Sequence, residues 1–141
     1  MTKWLISHSS KGGVKWQVVS FNGPHGQESA GIVDMIAIRK RHRPSESSVR
    51  RGDLFEIILI QVKAGTAKVP SPEDIARLVY VKDYHRADKV VLAEWKRRER
   101  LCCYLLPDKT NVVPAEEIFG NMPTTKRRSV KAQVVATALG R

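Results

Sequence analysis

Two stretches decide the fold: Gly31-Ile32-Val33-Asp34-Met35-Ile36-Ala37-Ile38-Arg39 and Leu54-Phe55-Glu56-Ile57-Ile58-Leu59-Ile60-Gln61-Val62-Lys63. Alternate residues of a strand point to opposite faces. The first stretch then shows Ile32, Ile36 and Ile38 on one face and Val33, Met35 and Ala37 on the other. The second shows Phe55, Ile57 and Leu59 against Ile58, Ile60 and Val62. A strand that is apolar on both faces belongs inside a sheet covered on both sides. Between them lies a polar connection with Pro44, three serines and Gly52, which reads as a hairpin.

The rest of the chain extends that hairpin on either side. Trp16 to Asn22 reads as an earlier strand, ended by Asn22-Gly23-Pro24 and Gly26. Ser71-Pro72-Glu73-Asp74 opens a helix: serine suits the N-cap, proline the first helical position, and the acids the positive end of the dipole. Ile75, Leu78 and Val79 give its buried stripe, and the pattern carries it to about Arg86 or Ala87. Lys89 to Trp95 and Leu101 to Leu106 read as two more strands joined by a basic turn. A last helix is expected from about Thr125 to Leu139. The expected domain is α/β (α+β), with a mixed sheet of about five strands flanked by helices, in the order βββαββ with a C-terminal helix. A core spans residues 15–107, preceded by a segment 1–14 and followed by an extension 108–141.

Both interior strands carry polar residues where the apolar pattern has no need of them. Asp34 interrupts the face of Ile32, Ile36 and Ile38, while Gln61 and Lys63 share the face of Phe55, Ile57 and Leu59. In an antiparallel pair, the numbers of facing residues sum to a constant, and facing residues share a side of the sheet. Setting Asp34 against Gln61 makes that sum 95 and centres the turn at Ser47-Ser48, the middle of the polar connection. Asp34, Gln61 and Lys63 are therefore expected together at one end of the hairpin. A carboxylate, an amide oxygen and the Val62 backbone carbonyl are hard oxygen donors of the kind that hold Mg²⁺ or Mn²⁺. An ammonium beside them could orient water or neutralise a phosphate. The competing reading is an ordinary ion pair between Asp34 and Lys63 at frayed strand ends.

Charge narrows the partner. The 141 residues hold 25 Lys and Arg against 14 Asp and Glu, a formal net charge of +11. Three segments concentrate it: Arg39, Lys40, Arg41, Arg43, Arg50 and Arg51; Lys96, Arg97, Arg98 and Arg100; and Lys126, Arg127, Arg128 and Lys131. Such clusters are the footprint of a phosphate backbone, since each contact releases counterions. No basic stretch before the C-terminal segment carries a wide apolar face, which disfavours a membrane surface. Trp4-Leu5-Ile6 is too short for a secretory signal, and Ile57-Ile58-Leu59-Ile60 too short for a membrane span. Cys102 and Cys103, being adjacent, build no disulfide framework, and no zinc-type spacing links them to His8, His25, His42 or His85. A soluble protein of the cytoplasm is expected.

Ser29-Ala30-Gly31-Ile32-Val33-Asp34-Met35-Ile36-Ala37, followed by Ile58-Leu59-Ile60-Gln61-Val62-Lys63 and then a helix and a strand, resembles the PD-(D/E)xK nuclease superfamily. Within it the match looks closest to archaeal Holliday junction resolvases and Mrr-type endonuclease domains, over about residues 15 to 106. The resemblance implies a restriction-endonuclease-like fold and a metal-dependent endonuclease that hydrolyses phosphodiester bonds in DNA, branched DNA such as Holliday junctions included. It implies Asp34 as metal ligand, Gln61 and Lys63 as a QxK form of the (D/E)xK triplet, and Ser29 near the scissile phosphate. The family's early glutamate has no counterpart before Glu28, which could substitute from the loop. Glu56 lies on the wrong face by parity. Junction resolution needs two sites, so the resemblance also implies a homodimer. The alternatives are a non-catalytic nucleic-acid-binding module on the same fold, and a protein-interaction domain whose charge serves solubility.

Overall fold

The computed structural model describes residues 15–21, 33–41, 48, 50, 52–65, 67–95 and 100–120. Five strands, β1 (Gln17–Ser20), β2 (Met35–Lys40), β3 (Phe55–Ala64), β4 (Lys89–Trp95) and β5 (Cys102–Leu105), form one sheet in the spatial order β1-β2-β3-β4-β5. All neighbours are antiparallel except β3 and β4, which are parallel and joined through helix α1 (Pro72–Tyr84). The expected α+β class, mixed sheet and element order are those found. Glu28, Ser29, Arg43, Arg51, Lys96, Arg97, Arg98, Lys126, Arg127, Arg128 and the expected helix at residues 125–139 lie outside the described residues.

Apolar side chains bury both faces of β3 and β4, as their composition requires. On one face Ile58, Ile60, Val91 and Ala93 pack with Trp16, Met35, Ala37, Cys103, Ala115, Ile118 and Phe119. On the other, Leu59, Val90 and Leu92 pack with Leu78 of α1, Ala87 and Leu106. Ile58 and Ile60 are wholly buried, each contributing about 1.5–3 kcal/mol relative to exposure. The helix entry is as the sequence predicts: Asp74 N–H donates to Ser71 Oγ and Ser71 N–H to Asp74 Oδ2, a reciprocal capping box. The helix stops two residues earlier than its apolar pattern suggested, because Arg86 takes a positive φ of 52° that no helix continues through.

Two elements differ from expectation. Residues Ala115–Phe119 form a short helix, α2, whose Ala115, Ile118 and Phe119 complete the first core face. Trp16 Nε1 donates to the Phe119 carbonyl at 2.5 Å, and the two rings meet edge to face. A helix of five residues leaves too little periodicity to read. The second difference is that β2 begins at Met35, so Asp34 stands just outside the strand.

Candidate active site

The register is the one that places Asp34 with Gln61: Met35 faces Ile60, Ile36 faces Leu59, and so on to Lys40 and Phe55, pairs whose numbers all sum to 95. Asp34 itself departs from regular pairing. Its N–H donates to the Ile60 carbonyl at 3.0 Å, one residue off the ladder. Val33 and Ile36, three apart, both pack on the α1 face, which strict alternation would forbid. Such a slip re-aims a side chain, and here the carboxylate turns onto β3.

There it replaces the missing end of β2. Beyond the Met35–Ile60 rung the N–H of Val62 has no ladder partner, and Asp34 Oδ2 accepts it at 2.6 Å. The same oxygen accepts from Gln61 Nε2 at 2.8 Å. Within a strand, a residue's N–H and C=O point to the same edge, so the Val62 carbonyl opens toward Asp34 as well. The hydrogen bonds assign the Gln61 amide nitrogen to Asp34; ligation by its oxygen requires the amide to turn over. The donor set, a carboxylate, an amide and a backbone carbonyl, fits a hard divalent cation. Among the described residues no group of three or more His, Cys, Asp or Glu forms a metal cluster.

Lys63 lies on the α1 face with Gln61 and is half-buried. It is not ion-paired with Asp34: no described residue forms a salt bridge or hydrogen bond with its ammonium. Immediately past it, Gly65 turns the chain at φ 64° and donates to the Trp95 carbonyl, a conformation that favours glycine. One residue that sequence reasoning passed over joins this face. Glu94 of β4 is in register with Lys63 and shares the side of Val90 and Leu92. Only the β3–β4 register could have revealed it, and that register follows from a parallel crossover rather than a hairpin. Lys109 reaches the same carboxylate, with Nζ 3.9 Å from Glu94 Oε1.

The basic residues at the hairpin end are used differently. Arg39 turns its guanidinium inward, bonding Glu56 at 2.6 Å and lying 4.1 Å over the Trp16 ring; its side chain is 11% exposed. Arg41 is ion-paired with Asp88. Lys40 and Arg50, with Arg100 beyond β4, are exposed. Glu56 faces away from Gln61 and Lys63, as parity predicts. Cys103 adds no nucleophile, since burial first, then Cys102 and Glu116, push its thiol up to about 12.

The chain is similar to Hjc, a Holliday junction resolvase from the archaeal hyperthermophile Archaeoglobus fulgidus, at 13% identity and a TM-score of 0.44, over 79% of this chain and 82% of that one. No protein-family model matches, and no curated protein does. No described helix is long and apolar enough to cross a membrane.

Proposed function

We propose that the protein is a metal-dependent endonuclease that hydrolyses phosphodiester bonds in DNA, with branched DNA such as Holliday junctions among its substrates. The observation that carries this reading is the seating of the Asp34 carboxylate on the Val62 N–H and the Gln61 amide, beside a Lys63 ammonium without a partner among the described residues. Asp34, the Val62 carbonyl and the Gln61 amide oxygen would hold Mg²⁺ or Mn²⁺. Once bound, the ion supplies Lewis-acid polarisation of the phosphate and a water of lowered pKa. Lys63 meets the charge that develops on the phosphoryl oxygens, in a half-buried setting where it is worth more than in water. The Val62 N–H keeps the Asp34 carboxylate from swinging as the Gln61 amide turns. Ser29 and Glu28 are assigned supporting positions by the resemblance alone. Lys40, Arg50 and Arg100, with the basic residues outside the described segments, hold the backbone and carry no base information. A homodimer would present two sites to a junction.

A second reading, a non-catalytic nucleic-acid-binding module, is favoured by one observation: Gln61 presents its amide nitrogen to Asp34 and so satisfies the carboxylate without a cation. A single cleavage panel separates the two. Four-way junctions, flaps and linear duplexes are incubated with Mg²⁺ or Mn²⁺, with and without chelator, using wild type, Asp34→Ala and Lys63→Ala. The nuclease predicts metal-dependent cleavage that falls at least about a hundredfold in both variants, while salt-dependent binding persists. Uncut substrates with chelator-insensitive binding would establish the module instead.

A further inference from the structure

The Glu94–Lys109 pair is not accounted for by the site as described, and its construction is unusual. Among the described residues, the enclosed Lys109 Nζ has no hydrogen-bond partner, and its one ion pair is the 3.9 Å approach to Glu94. Glu94 is itself only 17% exposed at its side chain. Taking two charges out of water is costly, and a long, hydrogen-bond-free contact recovers little of that cost, so such a pair is a weak device for stability. An unsatisfied buried polar group calls for a specific explanation. The explanation offered by the topology is the neighbour on β3. Lys63 faces Glu94 across the parallel ladder, both side chains stand on the α1 face, and Lys63 has no other anion among the described residues. Adjacent strands lie about 4.8 Å apart, within reach of two long side chains.

We infer that Glu94 is a positioning residue of the candidate site: its carboxylate, fixed from one side by Lys109, orients the Lys63 ammonium from the other. The inference rests on the nuclease reading for its catalytic consequence, and on geometry alone for the placement. Lys63 shares its rung with Glu94, which is not hydrogen-bonded to any described residue, and follows by two positions on the same face Gln61, to which Asp34 is bonded. A flexible four-carbon ammonium needs such an anchor to meet one phosphate oxygen reproducibly. Lys109 supplies a countercharge beside Glu94, and it comes from a turn rather than from the sheet, so the three charges alternate in sign across the end of β3 and β4 and into the turn beyond β5.

The test has one arm that needs no activity. In protein labelled with ¹⁵N-lysine, the Lys63 ammonium resonance is identified by its loss in Lys63→Met. Glu94→Gln, which keeps the side-chain shape, is expected to shift that resonance, and Lys109→Met to shift it less. A Lys63 resonance unmoved in Glu94→Gln, in a protein whose amide spectrum is otherwise native, overturns the placement. The second arm is cleavage. Glu94→Gln is expected to lower kcat about tenfold with KM unchanged, and to have no further effect when Lys63 is already Met. Independent, multiplicative losses in that double variant overturn the action through Lys63. Wild type that leaves every substrate uncut overturns the nuclease reading, and the resonance arm still decides the placement.

Discussion

The two ends of the β2–β3 hairpin are built from the same residue types and use them in opposite ways. At the turn end, Arg39 is bonded to Glu56 and stacked on Trp16, and Arg41 is paired with Asp88. Asp88 also accepts the Ile57 N–H at 2.8 Å and donates its own N–H to the Ile57 carbonyl, tying the start of β4 to β3. At the other end, about five residues or ~17 Å away along β2, Asp34 holds neutral donors and Lys63 holds nothing described. Charge at the turn end is neutralised within the fold. At the Asp34 end, the Lys63 ammonium has no counter-ion among the described residues.

The contrast can be broken first at Lys63 and Arg39. Lys63→Met should lower cleavage about a hundredfold or more and leave the melting temperature nearly unchanged, because the ammonium makes no described bond. Arg39→Met should do the reverse to stability, costing about 2–3 kcal/mol in urea titration, since it strands the half-buried Glu56 carboxylate and uncovers the Trp16 ring. Equal stability losses in the two would erase the distinction between the ends. Asp88→Ala comes next, at about 1–2 kcal/mol, for it removes the acceptor of the Ile57 N–H along with a partly exposed ion pair. Smaller still are Lys40→Ala and Arg50→Ala. Each should reduce the salt slope of DNA binding by about one without altering the unfolding midpoint.

That division was only partly legible in the sequence. Apolar strands on both faces, the Ser71 cap and the polar hairpin connection are local signals, and they gave the sheet, the helix and the register. The register in turn brought Asp34 to Gln61 because one arithmetic constraint covers every rung of a hairpin. Arg39 was not legible as a core cation: its partner Glu56 is directly opposite on β3, but its Trp16 neighbour stands just before β1, whose pairing no pattern specified. Glu94 was hidden for a similar reason, because a parallel crossover through α1 leaves register free. The slip at Asp34 needs a missing ladder partner at Val62, which exists only once β2 ends.

The smallest expected effect concerns the turn that carries Lys109 to Glu94. Asp108 accepts Thr110 N–H at 2.8 Å, Thr110 Oγ1–H at 2.6 Å and Asn111 Nδ2–H at 2.7 Å. These bonds, those from Thr110 foremost, hold its carboxyl down to about 2, against an ordinary value of 3.8. A depressed folded-state pKa contributes stability that is complete above the unfolded value and is lost as pH falls through the folded one. The Asp108 contribution should thus be constant above about pH 4 and decline between about pH 4 and 2. Urea midpoints of wild type and Asp108→Ala should differ by a fixed amount at pH 5–7 and converge over that acid interval. Because the carboxyl is fully exposed, solvent screening keeps the difference slight. If Glu94 depends on Lys109 as inferred, the same variant also loosens the turn beneath the ammonium, and the Lys63 resonance should shift with it at neutral pH. An unchanged resonance in Asp108→Ala would mean that Glu94 alone, without the turn's rigidity, is enough to hold Lys63.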